Sequence, residues 1–333
     1  MTAILPSARA GRHSRLAARL LLRCALAGAL AGALAAPFGC APAAVRQPVP
    51  LAAPQGAVSF LVLGDWGRGG NFGQREVAKA MASTASSLHA AFVITTGDNF
   101  YPDGVKTGDD AQFRKSFESV YDAPSLGVTW YPALGNHDYH QNPDAEVAYG
   151  ARTPRWHMPS RYYSFTRDVA PGVRAEFLVM DSNPFNLKDG EEEASQLKGA
   201  DTVAQRRWLD STLAASTAQW KFVVTHHHLY SAGPRGTNTA FEQFLAPRLK
   251  QYHVTALLSG HEHHLEHVAP DSTGPQFFIS GAGSETRGTS ATPVTRYVES
   301  VTGFMAFSMT ADSVLVQIIG ANGDVRYRTI LRR

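Results

Sequence analysis

Seven residues of metal-ligating type stand just beyond apolar, β-branched runs: Asp65, Asp98, Tyr101, Asn136, His226, His261 and His263. Carboxylate, phenolate, amide oxygen and imidazole form a mixed, hard-to-borderline donor set. Such a set suits iron, manganese or zinc better than calcium, which takes oxygen alone. A thiolate site is excluded, because the only cysteines are Cys24 and Cys40. Seven ligands exceed the needs of one ion but serve two, provided a carboxylate bridges them. Two ions about 3.5–4 Å apart can hold a bridging hydroxide and clamp a phosphate for in-line attack.

These residues need strands to deliver them. The central run Phe92-Val93-Ile94-Thr95-Thr96 ends in Gly97, with Asp98 next and Tyr101 three residues further on. In an open α/β sheet, ligands collect where strands end, because the loops there aim side chains into one crevice. The run 58–63 likewise enters Gly64-Asp65, 130–134 enters Gly135-Asn136, 220–225 enters His226, and 254–259 enters Gly260-His261. Helical spacing covers 71–88, 110–120, 202–215 and 239–251, with Val203, Trp208, Leu209 and Leu213 near one face of the third. The segment 140–160 reads as a long loop and the acidic stretch 186–200 as an exposed one. Further strands are expected at 161–165, 175–181, 265–269, 276–280, 303–309, 313–319 and 325–330. Helices interleave with strands early and strands dominate late. That order predicts an α/β domain over residues 57–333 in which two packed sheets are flanked by helices.

Arg9, Arg12, Arg15, Arg19 and Arg23 precede an Ala/Leu-rich run that ends near Gly39-Cys40. A basic segment, a short apolar run and small residues at the cut form an export signal over residues 1–40. Cys40 fits a bacterial lipoprotein cleavage box imperfectly, since Pro37 and Phe38 depart from it; ordinary cleavage after Ala36 is the alternative. The reading favours lipid attachment at Cys40, a tether over residues 41–56, and a bacterial periplasmic or cell-envelope location. Taking the five arginines from the net charge of +3 leaves −2, which gives no electrostatic case for nucleic-acid binding.

The blocks Gly64-Asp65-Trp66-Gly67, Gly97-Asp98-Asn99-Phe100-Tyr101, Gly135-Asn136-His137, Val223-Val224-Thr225-His226 and Gly260-His261-Glu262-His263 resemble the calcineurin-like metallophosphoesterases. Tyr101 narrows the resemblance to the purple acid phosphatases, particularly the small tartrate-resistant type, over roughly residues 57 to 333. The resemblance implies a single-domain, four-layer α/β/β/α sandwich and a binuclear-metal acid phosphatase acting on phosphorylated small molecules or proteins. It implies Fe(III) at Asp65, Asp98, Tyr101 and His263. It places Fe(II), Zn or Mn at Asp98, Asn136, His226 and His261, with Asp98 bridging. It also implies that His137 stands over the substrate phosphate, protonating the leaving alcohol or stabilising the transition state. Asp138 would orient His137 or serve as a turn residue.

Departures and surplus residues leave further expectations. The small mammalian-type enzymes place another His shortly after the position of His226, whereas 229–236 reads LYSAGPRG here, without one. Arg235 is either a substitute phosphate contact, alongside Asn136 and His137, or a solvated loop arginine. His228 and His264 read as substrate-facing or as supports behind the ligands, His227 and His267 as structural. A metalloprotease is the rival enzyme class, because His263-His264-Leu265-Glu266-His267 fits H-x-x-E-H. That motif needs a helix, and here it follows a strand and a glycine. A decayed, non-catalytic metal binder would have lost a ligand, and none is lost. A phosphodiesterase or nucleotide phosphohydrolase on the same site is the alternative within phosphate chemistry.

Overall fold

Strands that are apolar on both sides must be covered on both sides, and that requirement organises the chain. The computed structural model describes residues 50–186, 197 and 201–333. The export signal over 1–40, Cys40 and most of the tether therefore lie outside the described residues, as does nearly all of the acidic stretch 186–200. In chain order, the first sheet holds β1 (Val58–Leu63), β2 (Phe92–Thr95), β3 (Thr129–Pro132), β11 (Gly303–Met309), β12 (Ser313–Gly320) and β13 (Val325–Arg332). The second holds β4 (Tyr163–Ala170), β5 (Val173–Val179), β6 (Trp220–Val224), β7 (Ala256–Ser259), β8 (Leu265–Val268), β9 (Gln276–Ser280) and β10 (Thr295–Glu299). Their spatial orders are β13-β12-β11-β1-β2-β3 and β10-β8-β9-β7-β6-β5-β4. The parallel cores are β1-β2-β3 and β5-β6-β7-β9.

The period-two alternation of strands sorts side chains between two cores. Phe177, Phe222, Val224 and Leu258 point between the sheets, where Phe60 stacks on Phe92 and Phe307. Leu178, Val223 and Leu257 point outward, against Leu209 and Leu213 of α4 (Thr202–Ala215) and Phe241, Leu245 and Leu249 of α5 (Thr239–Gln251). On the far side, α1 (Gln74–Leu88) buries Val77, Met81 and Leu88 against the first sheet. The result is the four-layer α/β/β/α sandwich that the resemblance implied.

Several expectations are corrected. Val203 is 55% exposed, because the buried face of α4 runs through Gln205, Leu209 and Leu213 instead. The segment 140–160 contains α3 (Asp144–Gly150), which starts directly after Pro143. The helix expected at 110–120 winds as a wider π turn over Phe113–Glu118. β10 had no clear sequence signal: each of its residues is half-buried or exposed, so the apolar alternation is lost. His263-His264-Leu265-Glu266-His267 runs into β8, so its two outer histidines cannot share a helical face. Among the described residues, no helix is long and apolar enough to cross a membrane.

Candidate metal centre

The ends of five parallel or near-parallel strands deliver the site. Asp65 follows β1, Asp98 follows β2, Asn136 opens the one-turn helix α2 (Asn136–Tyr139) after β3, His226 follows β6 and His261 follows β7. Asp65, Asp98 and His261 adopt positive φ of 57°, 50° and 71°, a region costly for residues with a Cβ. Backbone strain of this kind persists where the surroundings fix it, and it gathers at functional sites. Close approach also demands glycine. A Cβ on Gly135 would lie 2.2 Å from both the amide nitrogen and Oδ1 of Asp98, and one on Gly260 would lie 2.4 Å from Asp65 Oδ2.

Two donor clusters result, and Asp98 belongs to both. In the first, Tyr101 Oη lies 2.7 Å from Asp98 Oδ2, 3.2 Å from Asp65 Oδ1 and 3.2 Å from His263 Nε2. In the second, Asn136 Oδ1 lies 3.0 Å from both His226 Nε2 and His261 Nδ1, which are 3.1 Å apart. Asp98 Oδ1 stands 3.4 Å from His226 Nε2. The His226 proton is committed elsewhere: Nδ1 donates to the Thr96 carbonyl at 2.8 Å, which leaves the Nε2 lone pair facing the cluster. The Tyr101 phenol has one proton for three acceptors. More lone pairs converge here than there are protons to separate them, so the donor set fits a cation in each cluster. Asp65, Asp98 and His226 together offer atoms mutually within 4.8 Å.

Burial shifts most of these donors toward their uncharged forms, with Asp98 the exception. Burial pushes Asp65 up to about 7, opposed by His226 and reinforced by the Asp98 charge. Burial works the same way on Asp98, yet His226, His137 and the Tyr101 hydrogen bond outweigh it and hold that carboxyl well below its usual range. Burial, then the charges of Asp98 and Asp65, raise the Tyr101 phenol well above its ordinary value. Burial and the neighbouring His226 lower His261 well below the imidazole range, and burial with Arg287 lowers His263 to about 4. Neutral imidazoles are the ligand-competent form.

The remaining residues separate cleanly. His137 sits at the rim with its side chain 27% exposed, its Nδ1 directed to the Pro102 carbonyl and its Nε2 4.0 Å from Asp98 Oδ2. Asp138 does not orient that ring. Its buried carboxylate accepts from the backbone amides of Gly135, Asn99 and Phe100 at 2.8–3.1 Å, so it braces the loop that carries Asp98. Asn99 completes the brace, donating to the Ala133 carbonyl and to Glu146 of α3 at 2.7 and 2.9 Å. Of the two readings for His228 and His264, the structure removes the substrate-facing one, and with it the catalytic role expected of His228. Both are buried, with His228 Nε2 donating to the Gly236 carbonyl and His264 Nε2 lying 2.8 Å from Glu266. Burial lowers His228 to about 4, which leaves it neutral and unsuited to act as an acid. Arg235 is held at the edge of the site, Nη1 lying 3.6 Å from buried Glu262.

His227 also offers a nitrogen close to those of His226 and His261. Its neighbour Ser182 Oγ accepts the amides of both His226 and His227, so the Ser182 hydroxyl proton goes to His227 Nδ1 at 2.9 Å. The His227 proton then occupies Nε2, and the ring cannot bind a metal through that atom. His267 pairs with Tyr327 and Gln276, 3.0 Å from each, in the structural role expected. The supports Thr96, Asn99, Glu146 and Ser182 were missed. Only Glu146 had a local signal, in the helix start after Pro143.

Residues 58–265 match the family model described as calcineurin-like phosphoesterase. Purple acid phosphatase 17 of Arabidopsis thaliana is 32% identical over 84% of this chain and 86% of its own length. Tartrate-resistant acid phosphatase type 5 of Sus scrofa is 33% identical over 70% of this chain and 71% of its own. The solved structure of GAP50, the anchor in the inner membrane complex of Plasmodium, superposes with a TM-score of 0.73 over 83% of this chain and 89% of that one. At 24% identity it shows the fold alone.

Proposed function

The chain belongs to the calcineurin-like phosphoesterases, and within them to the purple acid phosphatases, and from that premise we propose how its own residues serve the activity. It is a metal-dependent acid phosphatase that hydrolyses phosphate monoesters at a dinuclear, iron-containing centre. In our reading Asp65, Asp98, Tyr101 and His263 hold Fe(III), and Asp98, Asn136, His226 and His261 hold Fe(II), Zn or Mn. The observation that carries the assignment is the division of Asp98, Oδ2 serving one cluster and Oδ1 the other. When bound, the two ions supply a nucleophile from water and neutralise phosphate charge.

The protein residues then have separable tasks. Asp98 holds the two clusters in register, and its geometry is fixed by Asp138 and Asn99 beneath it. His137 donates its Nδ1 proton to the Pro102 carbonyl, and its Nε2 faces the centre, 4.0 Å from Asp98 Oδ2. Protonated there, it stabilises phosphate charge and gives its proton to the departing alcohol. Arg235, anchored by Glu262 and partly exposed, brings a permanent positive charge to bind phosphate oxygens. Residues 1–40 direct export to a bacterial periplasm or cell envelope, and Cys40 takes a lipid. Both statements rest on the sequence, and loss of lipid labelling in Cys40→Ser tests the second.

Metal analysis with a visible spectrum tests the centre. About one iron and one further metal per chain are expected, with a colour abolished by Tyr101→Phe. Two metals without that colour would overturn the ferric–phenolate assignment. Faster turnover of an aryl phosphate diester than of its monoester would overturn the monoesterase preference.

A further inference from the structure

Arg68 lies three residues beyond Asp65, on the loop between β1 and α1. Its guanidinium carbon stands 3.7 Å from the centroid of the Tyr101 ring, at stacking distance. Several contacts hold it there. Nε donates to Ser284 Oγ at 3.1 Å, and Nη2 lies 2.8 Å from a Glu285 carboxylate oxygen. Ser284 in turn donates to the main-chain carbonyl of Asp65 at 2.6 Å, which ties the anchor to a ligand-bearing loop. The Arg68 amide donates to buried Gln74 at 3.0 Å. The side chain is only 16% exposed, against 46% for Glu285, so water screens the cation less than its counter-ion.

A guanidinium keeps its charge throughout the working range of proteins. An aromatic face attracts such a cation, more strongly where water is excluded, and more again when the ring carries negative charge. We infer that Arg68 is a positioning residue for the metal-bound form of Tyr101: it fixes the ring plane and stabilises the phenolate. The inference rests on the assignment of Tyr101 to the ferric site. Two consequences follow from the stacking. A ring held in one plane by an anchored guanidinium aims its oxygen in one direction, so iron would be held more tightly. With iron held through the phenol oxygen, the guanidinium would lie nearer the ring than the ion and would lower the ring's donor level more than the ion's acceptor level. It therefore raises the energy of phenolate-to-iron charge transfer.

The test compares the full chain with Arg68→Met, Arg68→Gln and Arg68→Lys, each loaded with iron. Arg68→Gln keeps a side chain able to reach Ser284 without the charge, and so serves if the Met variant does not fold. Loss of the cation is expected to move the visible band to longer wavelength and to weaken iron retention against a chelator by about tenfold. The Lys variant, which keeps a charge but not the planar stack, is expected to fall between. A folded Met or Gln variant with wild-type band position and iron retention would overturn the role of Arg68 alone. A wild-type protein that binds iron without colour would overturn the ferric–phenolate assignment together with it.

Discussion

Replacing His137 by alanine separates the chemistry from the metal centre, and the structure sets the size of each effect. The imidazole is partly exposed, makes one hydrogen bond, to the Pro102 carbonyl, and approaches Asp98 Oδ2 no closer than 4.0 Å. Truncation removes that bond and a modest contact with Tyr101, a stability cost of about 1 kcal/mol. What Asp98 needs from this position is the backbone amide, which donates to Oδ1 at 2.9 Å and survives any side-chain change. Metal stoichiometry should therefore be unchanged. Removing a general acid costs roughly 10²–10⁴ in rate when the leaving group needs a proton. An alkyl phosphate, whose alkoxide leaves poorly, should lose about a hundredfold or more in kcat. A nitrophenyl phosphate, whose phenolate leaves readily without a proton, should lose far less. The assay is kcat on both substrates alongside metal analysis of the same preparations. Equal losses on the two substrates would refute proton donation by His137, and loss of metal would refute its separation from the centre.

Other changes probe the framework. Asp98→Ala should empty both sites together, because its two oxygens serve different clusters; metal analysis showing one ion retained would contradict bridging. Gly135→Ala should abolish high-affinity metal binding, since its Cβ would fall 2.2 Å from Asp98 Oδ1 and only backbone movement relieves that clash; titration with metal checks it. Asp138→Ala should lower metal affinity without touching a ligand, because the amides of Gly135, Asn99 and Phe100 lose their shared acceptor. His267 gives a pH signature remote from the metals. Burial lowers it to about 4 from an unfolded value of 6.5, so the unfolded chain takes up its proton first as pH falls. Its contribution is complete above pH 6.5 and is lost between 6.5 and about 4, roughly 3 kcal/mol in all. His267→Gln should flatten the melting-temperature profile across that window, and parallel profiles would exclude the assignment.

Much of this protein was legible in order along the chain. Apolar runs ending in glycine and a ligand-type residue located the strand ends and the donors, since a strand and its exit loop are local features. Their periodicity also separated sheet from helix, because α4 and β6 carry different repeats. Segments whose partners come from elsewhere were less legible. α3 was hidden among polar residues because, beside Ala145 and Tyr149, it buries a carboxyl, Glu146, used to hold Asn99 of a loop forty-seven residues away. β10 was hidden because an edge strand with one half-covered face needs no strong alternation.

The resemblance singles out His226 from the run His226-His227-His228, and the structure supplies a physical reason. As residue types they are equivalent, and local chemistry offers each the same two nitrogens. The Thr96 carbonyl, 130 residues away, takes the Nδ1 proton of His226 and turns its other lone pair to the metal cluster. Ser182 gives its proton to His227 and thereby fixes the opposite tautomer. The Gly236 carbonyl, on the loop after β6, takes the Nε2 proton of His228. The donor inventory, the strand ends that carry it and the family to which the blocks point can all be read along the chain. Only the tertiary structure set the tautomers, because a tautomer follows its hydrogen-bond partner, and for His226 and His227 those partners stand at the ends of other strands.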